Sequence, residues 1–196
     1  MQFRDTKTFK NLARSFAGES QAGMRYQLIA KLATAEDYAV LADIVRSIAK
    51  NETFHAKTFY DTLIQKAGNH ENIAPGGGYP FRFGTLAENL GVAAQDERAR
   101  FEEVYPAFAR EAKEEGFADV AALFERVASV EKCHEVMFRF LAESLKSGAL
   151  YKRDKPTLWI CSECGYRAVT KEAWQVCPLC KAKQGFAEIP LPFDQS

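Results

Sequence analysis

Glu52-Thr53-Phe54-His55 and Glu131-Lys132-Cys133-His134 repeat one pattern on two segments of the chain, and the reading of that pair decides the fold. In each, a carboxylate and an imidazole lie three residues apart, so on a helix both point to one face. Around the first, Leu41, Val45, Ile48, Glu52, His55, Phe59 and Thr62 step by four and three, the seam of a packed helix. Around the second, Val120, Phe124, Val127, Glu131, His134, Phe138 and Leu141 repeat the arithmetic. Both polar pairs therefore stand within a seam. A buried carboxylate without a partner is costly, and two such pairs on two inward stripes point to a compensating cation between helices.

The chain has 196 residues, 47% of them apolar, enough for one sizeable core and a small satellite. No apolar run is long enough for a helical membrane span. Lysine plus arginine equals aspartate plus glutamate at 26 each, which offers no electrostatic handle for nucleic acid or anionic lipid. Met1-Gln2-Phe3-Arg4-Asp5 lacks the basic and apolar regions of a secretory signal, so the expected compartment is the cytoplasm. Four of the five cysteines form Cys161-x2-Cys164-x12-Cys177-x2-Cys180. In such a chain that spacing reads as a metal site, not as disulfides, and a zinc ribbon shares it. Cys133 points off its seam and reads as a buried structural thiol.

The first helix is expected to be capped by Asp5 or Thr6 and to run past Ala30, with Phe9, Leu12, Phe16, Glu19, Gly23, Tyr26 and Ala30 inward. A break at Thr34 to Asp37 makes it a hairpin with the second helix, which ends near Gly68. Asn69 to Gly84 carries Pro75, Gly76, Gly77, Gly78 and Pro80, which exclude regular helix. About sixteen residues at roughly 3.3 Å each reach ~50 Å, enough to carry the chain along a bundle. Within it His70 reads as solvent-exposed, and the triple glycine lacks the lysine of a phosphate loop. The third helix starts near Thr85 and faces Leu86, Leu90, Ala93, Glu97, Arg100 or Phe101, Val104 and Phe108 inward, with Pro106 kinking it or ending its first part. After the turn Glu115-Gly116-Phe117, a fourth helix capped by Asp119 runs to about Lys146. Two hairpins joined by a long crossover is ferritin-like connectivity. Glu19, Glu52, His55, Glu97, Glu131 and His134 then match the ligand set of carboxylate-bridged di-iron or di-manganese sites, which zinc could also occupy. Glu52 and Glu131 are placed to bridge, Glu19 and Glu97 to be terminal. The expected domains are a bundle over 1–146, a linker over 147–155 and a metal-held satellite over 156–196. There Trp159, Tyr166, Trp174 and Phe186 pack around the thiolates, and short strands are expected.

With these residues assembled, the chain resembles the rubrerythrins over nearly its whole length. Further matches are Ala17-Gly18-Glu19-Ser20-Gln21-Ala22, Tyr105-Pro106 followed by Glu114-Glu115-Gly116-Phe117, Cys161-Ser162-Glu163-Cys164-Gly165-Tyr166 and Cys177-Pro178-Leu179-Cys180. The resemblance implies a mainly α fold, a ferritin-like four-helix bundle with a long crossover between helices 2 and 3, plus a small C-terminal rubredoxin-like β domain. It implies three iron ions per chain, a di-iron pair on the six Glu and His ligands and one iron on Cys161, Cys164, Cys177 and Cys180. It implies reduction of hydrogen peroxide to water in oxidative-stress defence, with electrons from a reductase or rubredoxin, in a head-to-tail homodimer. Tyr26 and Tyr105 match tyrosines that hydrogen-bond ligand carboxylates. The chain departs from the family at Arg100, where rubrerythrins carry a further glutamate that exchanges with the first histidine as the iron changes oxidation state. Arginine cannot ligate a metal, so His55 is expected to stay bound in both states. The alternative turns Arg100 outward, to Asp96 and Glu103. Lys181 stands where rubredoxins have glycine. The competing functions are oxidation or handling of ferrous iron, against which a tail for electron delivery argues, and a non-catalytic sensor with structural zinc.

Overall fold

The computed structural model describes residues 2–68 and 72–192; His70 lies outside the described residues. Helix α1 (Lys7–Ala35) begins at Thr6, whose side chain accepts from the Phe9 N–H. The Glu115 carboxylate, from the far end of the chain's third rod, accepts from the N–H groups of Lys7 and Thr8 and so covers two more orphan donors. A turn through Asp37 leads to α2 (Ala39–Ala67), which stops at Gly68 with φ 72°. The two helices pack along their length. Gly23 permits this beside the polar layer, because an added Cβ would meet Ala49 O and Glu52 Cβ, each at 3.3 Å.

The crossover holds no regular element among its described residues, but Arg14 Nε donates to Pro75 O at 2.5 Å and ties it to α1. Helix α3 (Leu86–Ala99) starts on a full capping box between Thr85 and Glu88. It passes without a break into a π turn (Arg100–Val104), then into α4 (Tyr105–Glu114) with Pro106 in its first turn. The expected interruption is therefore a π turn just upstream of Pro106. It also changes which residues face inward: Val104 is 37% exposed, while Tyr105 is 2% exposed and takes the core position. The i→i+5 turn takes up one residue more than an α turn and advances everything after it by one. Gly116, at φ 87°, closes the turn to α5 (Ala118–Lys146). Asp119 is not its cap but lies in its first turn, where it favours the helix dipole and meets Lys66 Nζ at 2.7 Å.

Two apolar clusters lie on either side of the Glu and His layer. Tyr26, Val45, Leu90 and Phe138 belong to one, and Leu12, Phe59, Tyr105 and Phe124 to the other. Phe16, expected inward, is 39% exposed. Cys133 is off the seam as expected, but exposed rather than buried.

Strands β1 (Lys152–Ile160) and β2 (Arg167–Glu172) pair antiparallel, Trp159 opposite Ala168. Trp159, Ala187 and Ile189 join the same core as Leu41 and Phe138, so this small sheet docks on the end of the bundle. Leu150 and Tyr151, in the segment expected to be a linker without a core pattern, are buried in that junction. Gly185 is where the two parts touch: a Cβ there would sit 1.7 Å from Asp37 O. Lys183 Nζ meets Asp37 Oδ2 at 2.6 Å beside it. Among the described residues, no helix is long and apolar enough to cross a membrane.

Candidate metal centres

Each long rod brings carboxylate to one layer: Glu19 from α1, Glu52 and His55 from α2, Glu97 from α3, Glu131 and His134 from α5. All four glutamates are fully buried. They sort into two groups of converging ligand atoms, each within 4.8 Å: Glu19, Glu52, His55 and Glu131, and Glu52, Glu97, Glu131 and His134. Glu52 and Glu131 are common to both. Glu19 Oε2, Glu52 Oε1, Glu131 Oε1 and His55 Nδ1 are buried with no hydrogen-bond partner. His55 Nδ1 lies only 3.1 Å from Glu131 Oε1 and His134 Nδ1 only 2.9 Å from Glu52 Oε1, yet these oxygens are not engaged in hydrogen bonds. Buried carboxylate and imidazole atoms that converge and are left without partners are what a cation needs, so the donor set fits two hard metal ions.

Without metal, the layer is electrostatically strained. Burial pushes Glu19 well above the usual carboxylate range and Glu97 up to about 8, against the pull of Arg100. Burial acts on Glu52 and Glu131 too, but the imidazoles of His134 and His55 hold both below it, joined at Glu52 by the Glu19 carboxyl. Burial would lower the two histidines, yet the carboxylates around them push His55 up to about 12 and His134 to about 9. The Tyr26 hydroxyl donates to Glu97 and the Tyr105 hydroxyl to Glu19, one from each apolar cluster.

Arg100 turns inward. Its Nη1 lies 2.9 and 3.1 Å from the two oxygens of Glu97, 3.4 Å from Glu52 Oε2 and 3.8 Å from Glu19 Oε2. Asp96, the outward partner considered from the sequence, instead meets Arg25 Nη1 at 2.8 Å. The spacing that carried the signal was Glu97 to Arg100, three apart on one face.

In the small domain, all four cysteine sulfurs lie within 4.8 Å of one another, with Cys161–Cys180 and Cys164–Cys177 at 3.7 Å. That is far beyond a disulfide bond and suits four thiolates around one ion. The two loops are pinned alike, Gly165 N–H to Cys161 O and Lys181 N–H to Cys177 O. Gly165 has φ 71° and Lys181 φ 65°, which explains why glycine suits this position and why lysine there is strained. Burial raises the Cys177 thiol, but the N–H groups of Cys180 and Leu179 bring it down to about 7. Tyr166 and Trp174 pack edge to face, and Trp174 lies, with Trp159, against the core shared with the bundle.

A family profile described as Rubrerythrin matches residues 10–142, and one described as Rubrerythrin, rubredoxin-like domain matches residues 159–186. Rubrerythrin-1 of Clostridium acetobutylicum is 37% identical over 186 residues, 95% of each chain. A nigerythrin solved in a mixed-valence state is 25% identical, with a TM-score of 0.63 over 94% of this chain and 90% of that one. A bacterioferritin of Desulfovibrio desulfuricans, solved with its diiron site in different catalytic states, is 25% identical, with a TM-score of 0.66 over 73% of this chain and 82% of that one.

Proposed function

The chain belongs to the rubrerythrin family, and from that premise we propose that it is a cytoplasmic non-haem di-iron peroxidase that reduces hydrogen peroxide to water. The observation that carries the reading is the pair Glu52 and Glu131, shared by both ligand groups with buried oxygens left over. Glu19, His55, Glu97 and His134 complete the site, and Cys161, Cys164, Cys177 and Cys180 hold a third iron; zinc or manganese would fit the same donors. When bound, the iron pair supplies one electron per ion and polarises the peroxide oxygens.

The chain's own part is positioning. Peroxide reduction to two waters takes up two protons; burial shifts Glu19 and Glu97 upward in the metal-free fold, but as ligands they give up their protons to the metal, so the two protons enter with solvent. Tyr26 and Tyr105 fix the orientation of those two carboxylates through their hydroxyls. Until metal binds, Arg100 balances negative charge that the two imidazoles alone do not. At the Cys site, backbone N–H groups aimed at sulfur set how readily the iron there takes and passes single electrons. A reductase or rubredoxin is the donor. Asp37 marks the docked end of the bundle and Glu52 lies fifteen residues along, about 22 Å at 1.5 Å per residue. That span within one chain favours a head-to-tail homodimer, in which the Cys site of one chain serves the cage of its partner.

Metal analysis followed by anaerobic mixing of the reduced protein with peroxide tests the proposal. The expected result is three irons per chain and re-oxidation by peroxide faster than by oxygen. A colourless protein carrying only zinc would overturn it. Faster re-oxidation by oxygen with retention of added iron would favour the ferrous-iron oxidase instead, the reading to which the bacterioferritin likeness lends its weight.

A further inference from the structure

The two cysteine loops are pinned alike but charged differently. The first, from Cys161 to Gly165, exposes Glu163, whereas the second, from Cys177 to Lys181, exposes Lys181. From Ala173 to Lys183 the chain holds two lysines and no acid. Lys183 pairs with Asp37 at 2.6 Å. Lys181 instead donates its Nζ to Pro178 O at 3.1 Å, so its charge is held over its own loop without a carboxylate to match it. Its backbone stands at φ 65°, a conformation that glycine, as at Gly165 in the first loop, adopts with less strain. Beside it Cys180 is exposed, while Cys161 and Cys177 are buried and Cys164 is intermediate. Leu179, 64% exposed, and Val176, 54% exposed, present bare apolar side chains from the same loop.

A fixed cation beside four thiolates acts in two ways. Four thiolates carry one net negative charge around ferric iron and two around ferrous iron, so a positive neighbour favours the reduced state. One electron enters, and no bond to the protein forms or breaks. The same cation attracts an anionic surface to the Cys180 edge, while Glu163 repels it from the other loop. We infer that Lys181 fits the second loop to an acidic electron-donor protein: its ammonium raises the potential of the thiolate-bound iron and meets a donor carboxylate, while Leu179 and Val176 supply the apolar contact around Cys180. The inference deepens the peroxidase reading and rests on it for the entry of electrons at the Cys site. Lys181 acts there through its charge and ligates nothing.

The test uses the full chain loaded with iron, its midpoint potential followed by the thiolate-to-iron absorption. Two small reductants of opposite charge, dithionite and reduced methyl viologen, stand in for the donor. Lys181→Gln and Lys181→Gly should both make reduction of the Cys site several-fold less favourable, and Lys181→Arg should restore it. The glycine variant should melt no lower than the parent, because it relieves the left-handed backbone, so a damaged fold cannot be the cause. At low salt Lys181→Glu should slow dithionite several-fold and speed methyl viologen. Salt at about 1 M, where the screening length is about 3 Å, should remove both effects. An unchanged potential in the glutamine and glycine variants, or a like response of the two reductants to Lys181→Glu, would overturn the assignment. That result with peroxide reduction intact leaves the peroxidase reading standing. The expected shifts in a protein that reduces no peroxide sink the peroxidase reading and leave Lys181 its role.

Discussion

Replacing Arg100 by methionine removes the guanidinium and keeps most of the side chain's volume, so the change isolates charge. In the metal-free protein Arg100 Nη1 meets three carboxylates at 2.9 to 3.8 Å. At an effective dielectric of about 20, each contact at such distances is worth roughly 4–6 kcal/mol of gross attraction, most of it offset by the desolvation of the ions. What decides the outcome is the charge left behind: breaking a buried pair by removing one partner costs about 3–5 kcal/mol. For a chain of this size each kcal/mol moves Tm by roughly 2–4 °C, so the chelated Arg100→Met protein should melt about 6–20 °C below the parent. With two divalent ions in the cage, the carboxylates have other partners and the guanidinium becomes a repelled third cation. The zinc-loaded variant should therefore melt within a few degrees of the zinc-loaded parent and should bind zinc more tightly. Scanning calorimetry of the four samples, chelated and loaded, decides it. A chelated variant as stable as the parent would mean that Arg100 is not paired in the cage; an equal loss in both states would mean that its role is packing and not charge.

The metal-free and loaded proteins should also respond oppositely to pH. His55 at about 12 and His134 at about 9 lie above the ordinary histidine value, so the stability they lend the metal-free fold is full below pH 6.5 and falls as pH rises towards 9. Glu97 at about 8 acts in the same direction, whereas metal affinity rises over that range because the ligands must lose protons; loading at pH 7 in weak buffer should acidify the solution, and no release of protons would refute the shifts. Tyr105→Phe takes from Glu19 its hydroxyl donor and should cost the chelated protein about 1–3 kcal/mol in urea unfolding; a change below about 0.5 kcal/mol would mean that the hydrogen bond is not made. Gly185→Ala cannot fit against Asp37 O, so the small domain should lift from the bundle and Trp159, now fully buried, should become open to acrylamide quenching; unaltered quenching would show that the docked arrangement is wrong.

The cage was legible because its ligands break an otherwise apolar period. Glu52 with His55 and Glu131 with His134 stand at core steps of long, regular helices, and Glu19 and Glu97 are the lone carboxylates on theirs. Period alone then places all six, since a helix face is a local property. Tyr105 lay beyond that logic: its inward position depends on a π turn, and the alternating step of four and three that the other seams follow leads from Glu97 to Val104. Leu150 and Tyr151 have no period to read, because what buries them is the docking of a domain that follows. The exposure of Phe16 and Cys133 likewise reflects how far the bundle wraps each helix, which no single stripe states.

The π turn joins these separate features. Glu97 must face the layer, and Tyr105 must reach Glu19 in the same layer from the opposite apolar cluster. In an unbroken α-helix residues eight apart lie about 80° from one another, so one of the two would turn away. The Tyr105 N–H bonds to Arg100 O, five residues back, and the extra residue brings the ring onto the Glu97 face. The next residue, Pro106, has no N–H, and its ring is crowded by the carbonyl four residues back in a regular helix, so it favours the wider turn at this place. Arg100 is the first residue of that turn. It retains the α-helical spacing to Glu97, which brings its guanidinium to the carboxylates. One local departure from helical geometry thus sets two things at once: the hydrogen bond on Glu19 and the cation among the glutamates.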